Sequence, residues 1–351
     1  MRRAILFRAA RASLPFLMSL WAATSALAAD VGTTPMVSTV PIIDTHAHLF
    51  RGRGNANLAA SDTLRAMEDL NMQKTILLPP PIPPSHRSLY GARELASVAR
   101  SNPGRFAFVA GGESLNPMIQ ATDPKDVSAE SIQRFQMEAA RIVKSGAVGF
   151  GEFAAEHFSS GRGNHPYESA QPDHPYFLAL ADIAAQSGMP IDLHMEAVPR
   201  DTPMPERMLM GPNPPQLREN ISALERLLEH NPTAHVVWAH AGWDLTGERT
   251  VELMRSLLER HPNLYMSIKL DAHGPQRTSP LAPDGSLRPE WVALIRAFPD
   301  RFMIGSDQFF DEGSERLARV RQFVNALPPD IAPLVANANA KRIYRLSAQT
   351  Q

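Results

Sequence analysis

The sequence predicts an α/β fold, a distorted TIM-type (β/α)8 barrel. Short apolar, β-branched runs recur eight times at roughly even intervals. Stretches with helical periodicity lie between most of them, the alternation that builds a parallel sheet with crossovers. No Gly-rich phosphate loop follows the first run, as it would in an open dinucleotide-binding sheet. Residues 29–351 have the length of one such barrel, and no repeat or domain boundary divides them.

The segment ahead of the barrel reads differently. Arg2, Arg3, Arg8 and Arg11 precede LPFLMSLWAATSALA, which closes on Ala26-Leu27-Ala28. A basic start, a short apolar core and a small-residue site make a secretory signal peptide. The apolar stretch is shorter than the roughly 20 residues of a spanning helix. The expectation is cleavage after residue 28 and a periplasmic or secreted chain with no membrane attachment. With no Cys, neither a disulfide nor a lipidated thiol is available, so the exported chain relies on its core.

The first barrel run is VPIIDTHAHLF, Val40 to Phe50, apolar enough to be buried on both faces. KTILLP, FAFVAG, AVGFGEF, MPIDLHM, HVVWAH, LYMSIKL and FMIGSD follow in order. SALERLLEHNP and VELMRSLLERHPN carry apolar residues at helical spacing and stop at Asn-Pro and His-Pro-Asn. YFLALADIAAQSG ends in Gly188, a helix C-cap residue. The 31 prolines gather in PPPIPPS, VPRDTPMPERMLMGPNPPQ and TSPLAPDGSLRP, which read as loops between periodic segments. Net charge is −1 and no basic cluster occurs outside the leader, which excludes nucleic acid as a partner class. The expected partner is a small-molecule substrate; a homo-oligomer is compatible with the sequence.

Barrel enzymes place their chemistry at the C-terminal ends of the strands. There the sequence puts His46 and His48, two apart and so on one side of a strand, then Glu152, His194, His240 and Asp307. Imidazoles and carboxylates converging on one barrel mouth make a divalent-metal site, for Zn2+ first, and also for Mn, Fe or Co.

In its motifs the chain resembles the amidohydrolase superfamily of metal-dependent hydrolases, above all its amidohydrolase-related branch. DTHAHLF, DLHMEA, WAHAGW and IGSDQF match that family in order and spacing, and NANAKRIYRL resembles its closing Asn-Ala-x-Arg helix. The resemblance spans residues 41 to 345. It implies His46, His48, His194, His240 and Asp307 as metal ligands. GFGEF resembles members in which a Glu, here Glu152, bridges two metals in place of a carboxylated Lys; Lys144 lies too early for that role. Without Glu152 contact, one metal on His46, His48, His194 and Asp307 remains, and His240 is free for catalysis.

The resemblance implies a metal-activated water, with Asp307 taking its proton and passing it to the leaving group, and His240 holding a second metal or a substrate oxygen. The expected activity is therefore an exported hydrolase of a small amide, lactone or other ester, using one or two ions, most simply Zn2+. A one-metal non-oxidative decarboxylase is the alternative reading, and a non-catalytic metal- or ligand-binding protein the second. Arg51, Arg53, Lys269, His273, Arg162, His157, His165 and His174 read as solvated loop groups near the mouth. His230, His235 and His261 read as structural groups on the opposite rim.

Overall fold

The computed structural model describes residues 40–49, 56–81, 90–160, 166–209, 211–271, 277–310 and 314–346. The leader, Arg51, Arg53, Arg162, His165 and His273 lie outside the described residues. Among the described residues no helix is long and apolar enough to cross a membrane.

All eight apolar runs form strands of one sheet: β1 Ile42–His48, β2 Met72–Leu77, β3 in two pieces (Phe106–Phe108 and Ala110–Gly111), β4 Phe150–His157, β5 Ile191–Met195, β6 Val236–Ala241, β7 Leu264–Ile268 and β8 Phe302–Ile304. Pairing is parallel around the ring, with Asp44 opposite Ile304 and Val236 opposite Ile191. The two pieces of β3 are separated by Val109 alone, and they join opposite edges. Phe106–Phe108 pairs with β2, and Ala110–Gly111 pairs with β4. The sheet therefore closes on itself as a (β/α)8 barrel, and the interruption at Val109 is a site of its distortion.

Helices return the chain between strands: α1 Ala56–Asp69, α2 Ala92–Ser101, α3 Ala129–Lys144, α4 Pro175–Ser187, α5 Ile221–His230, α6 Val251–Arg260, α7 Pro289–Ala297 and α8 Glu315–Ala326. Their starts and stops follow local chemistry. Ser128 and Ser131 form a reciprocal capping box on α3. Gly188 ends α4 in the left-handed conformation, at φ 68°. Each helix buries one stripe on the strands; α5, for example, turns Ile221, Leu224, Leu227 and Leu228 inward. The closing segment resembles a plug. Asn339 donates to the carbonyls of Pro299 and Phe302, and Asn337 to the carbonyl of Pro41 and to Gln73. These bonds sit where β1 and β8 begin, the end of the barrel opposite the histidines.

Candidate metal centre

The six residues singled out in the sequence meet. His46 and His48 lie in β1, Glu152 in β4, His194 in β5 and His240 in β6; Asp307 follows β8. All six are buried, Asp307 being the most exposed at 8 %. Glu152 is at the centre, and its two oxygens divide the histidines. Oε2 lies 3.3 Å from His46 Nε2 and 3.5 Å from His48 Nε2. Oε1 lies 2.9 Å from His194 Nδ1 and 3.4 Å from His240 Nε2. Asp307 Oδ1 completes the group at 3.1 Å from His48 Nε2.

Glu152 does not end its strand, as its place in GFGEF suggested. It is the third residue of an eight-residue β4, which continues to His157 through register shifts against β5. Backbone passes close to Glu152 here. A Cβ at Gly112 would stand 2.5 Å from the Pro79 carbonyl oxygen and 3.0 Å from that of Glu152.

A surrounding set of acceptors decides which ring nitrogens face inward. His46 Nδ1 is 3.1 Å from Asp192 Oδ1, and His48 Nδ1 donates to the Leu78 carbonyl at 2.9 Å. His194 Nε2 faces Glu196 at 3.7 Å. Each outer acceptor fixes a ring and leaves its other nitrogen aimed at Glu152, the arrangement by which ligand histidines are oriented. His46 Nε2 and His240 Nδ1 are buried without a hydrogen-bond partner. His46, Glu152 and His240, and likewise His46, His48 and Asp307, each offer ligand atoms within 4.8 Å of one another. These donors fit a divalent cation.

Charge is distributed accordingly. Burial pulls the His46 imidazole down, but Asp192 and Glu152 outweigh it and hold its pKa well above the ordinary value. Burial also opposes the charged form of His194, yet Glu152 and Glu196 lift it to about 9. His240 goes the other way: burial and then the Lys269 ammonium hold it well below the ordinary value, so it is neutral. Its backbone, at φ 67°, and that of Asp307, at φ 53°, occupy the left-handed region, a strain of the kind that gathers at functional sites.

Asp307 is held on its far side too. Lys269 Nζ is 2.6 Å from Oδ2, and Arg316 approaches the same oxygen at 3.3 Å while also donating to the Asp307 carbonyl. Burial would raise this carboxyl, but Lys269, His48 and Arg316 hold it well below the usual range. Lys269 is thus not a solvated loop group but 3 % exposed. His174 is likewise buried, capping α4 at the Tyr176 amide and bonding the Thr122 carbonyl. His157 packs its ring 4.2 Å from that of His194. Away from the centre, His230 pairs with Asp182, His261 with Glu225, and His235 packs on Tyr265.

A family profile described as Amidohydrolase matches residues 43–346. The chain belongs to the amidohydrolase family. No curated protein matches this chain in a sequence search. Among solved structures it is similar to an uncharacterized TIM-barrel protein from Bordetella bronchiseptica, at 16 % identity, with 87 % of this chain and 99 % of the other covered and a TM-score of 0.51. It is also similar to a dihydroxybenzoic acid decarboxylase from a Polaromonas species, solved with manganese and the inhibitor 2-nitroresorcinol (14 % identity, 88 % and 98 % covered, TM-score 0.50). A 2,6-dihydroxybenzoate decarboxylase from Rhizobium follows at 14 % identity, 88 % and 99 % covered, and a TM-score of 0.49. The first two likenesses agree on the barrel. They correct one expectation. The hydrolase implied by the motifs gives way, because the neighbour named for a reaction at a TM-score of 0.50 is a decarboxylase.

Proposed function

We propose that this amidohydrolase-family enzyme is a metal-dependent, non-oxidative decarboxylase of a small organic carboxylic acid. The observation that carries the reading is the fixation of Asp307. Its Oδ2 is committed to Lys269 and Arg316, which keep the carboxyl ionised. A hydrolytic mechanism needs this group to accept a proton and deliver it to a leaving group. Decarboxylation needs no water nucleophile to be deprotonated by this carboxylate: the bond to the carboxyl carbon breaks, CO2 departs, and the electron pair left on carbon takes a proton that derives from solvent. The decarboxylase named above, with manganese bound, supports the same reading.

The residues that would hold the ion are His46, His48, His194, His240, Glu152 and Asp307. When bound, a divalent cation supplies positive charge that binds substrate oxygens and stabilises the electron pair left on carbon. Neutral His240 keeps its proton on the buried Nδ1 and leaves Nε2, which faces the centre, with a lone pair to offer the ion. Trp243 and Phe309 stand beside the His240 and His48 rings, at centroid separations of 6.1 and 4.7 Å, and favour a flat, unsaturated acid. The imidazole and carboxylate donors suit Mn2+ and Zn2+ alike.

The test is CO2 release from a panel of hydroxybenzoic and unsaturated carboxylic acids by protein loaded with Mn2+ or Zn2+. Turnover in D2O should leave deuterium at the vacated carbon. Metal-loaded protein that releases no CO2 from any member of the panel rejects the reading. We also propose that residues 1–28 are removed on export; sequencing of periplasmic protein should then begin near Ala29, and an intact Met1 on that material refutes it.

A further inference from the structure

We propose that Lys269 is a positioning residue for the metal, acting through Asp307. The inference rests on the metal-dependent reading above, but not on which reaction the metal serves. Lys269 directly follows β7, its amide donating to the Ala241 carbonyl at 2.9 Å, so its backbone is fixed against the end of β6. Its ammonium lies between two groups. Asp307 Oδ2 is at 2.6 Å, and the face of Trp243 is 3.5 Å away at the ring centroid. Trp243 is itself tied back to the His240 carbonyl through its amide.

Enclosing an ammonium this way is expensive. Among the described residues, one carboxylate oxygen and an indole face replace the water it loses, and well-packed apolar residues commonly serve a fold as well as a buried ion pair does. The compensation is geometric. With Oδ2 held by Lys269 and, from the first turn of α8, by Arg316, Asp307 has Oδ1 to offer the centre, and Oδ1 faces His48 Nε2 at 3.1 Å and His46 Nε2 at 3.9 Å. The Asp307 backbone is pinned as well, its amide donating to the His46 carbonyl at 2.8 Å. Lys269 thereby fixes which oxygen of Asp307 meets the ion and keeps the side chain from turning away. Arg316, half-buried and shared with Asp271 at 3.4 Å, is the weaker of the two clamps.

The experiment titrates Mn2+ into metal-free full-length protein by calorimetry, for wild type, Lys269→Met, Lys269→Arg and Arg316→Met, with a thermal melt of each metal-free form. Partners of ligating groups typically contribute about 10- to 100-fold to metal affinity. Lys269→Met should weaken Mn2+ binding by that order, and Lys269→Arg, which keeps the charge and the donor, should recover most of it. A folded Lys269→Met that binds Mn2+ as wild type does, or more tightly, overturns the proposal. So does equal weakening in Lys269→Met and Lys269→Arg, which would show that packing and not the cation matters. If Lys269→Met does not fold, Arg316→Met decides: weaker Mn2+ binding supports the clamp, and unchanged binding overturns it. No turnover is measured, so the proposal stands or falls separately from the decarboxylase assignment.

Discussion

Asp307 illustrates how one side chain's neighbours set its chemistry. The same residue is a candidate base when its carboxylate is free and an anchor when both oxygens are taken. Here Oδ1 faces the histidines and Oδ2 two cations. Asp307→Asn should therefore act mainly through metal affinity. At saturating Mn2+, with occupancy counted, CO2 release should recover to within about tenfold of wild type. A loss on the order of 10² to 10⁴ at full occupancy is the signature of a general acid or base and would return the proton to Asp307. The inward residues of β1, β5, β6 and β8 were legible in the sequence because each His or Asp sits at the end of an apolar run. Lys269 was not, since its partner Asp307 comes after the neighbouring strand β8 and nothing in LYMSIKL distinguishes a buried ammonium from a solvated one. Asp192 and Glu196 were also missed. They flank His194 at two residues on either side, so strand alternation puts Asp192 on the same side as His194, a usable signal. His174-Pro175 carried a signal too, because Pro is favoured in the first turn of a helix behind its cap.

The elements were legible where period and punctuation agree. All eight strands fall on the apolar runs, and α4, α5 and α6 fall on the helical patterns. What could not be read was where a strand stops. β4 runs on past Glu152 because bulged pairing with β5 carries it to His157, and that register depends on a neighbour distant in sequence. The joint between β3 and β4 is equally local in cause and tertiary in effect. Gly112 donates to the Gly151 carbonyl at 3.0 Å, and its Cβ position is walled in by backbone oxygens that have no rotamer to change. Gly112→Ala must push the Pro79–Pro80 segment away from Glu152. Overpacking of this kind typically destabilises by about 1–3 kcal/mol, which a denaturant titration of the metal-free protein would detect. An unchanged midpoint would mean that the loop yields freely.

At the scale of the whole molecule, the barrel collects ionisable groups that fold at a cost to one protonation state. His46 is held well above its ordinary value and His194 at about 9 by the carboxylates beside them. Glu156 and Glu196, raised to about 7, and Glu168, raised to about 8, are displaced in the same direction, chiefly by burial. For every one of these groups the folded chain binds its proton more tightly than the unfolded chain does. Each contribution to stability is complete below the unfolded value and is lost as pH rises through the folded one. Glu152 and Asp307, held low, change only in acid and do not enter this range. Glu156 and Glu196 lose their contribution by about pH 7, so between pH 7 and pH 9 the metal-free protein should lose stability through the histidines and Glu168. A cation at the centre reverses the demand, because ligand nitrogens must give up their protons to bind it. Metal-loaded protein should hold its melting temperature over that interval, and the gap between the two forms should widen toward pH 9. Thermal melts with and without Mn2+ across the interval test this. Parallel curves would show that the protons on His46 and His194 are not the ones the metal displaces, and the six-residue centre would then need a different assignment of ligands.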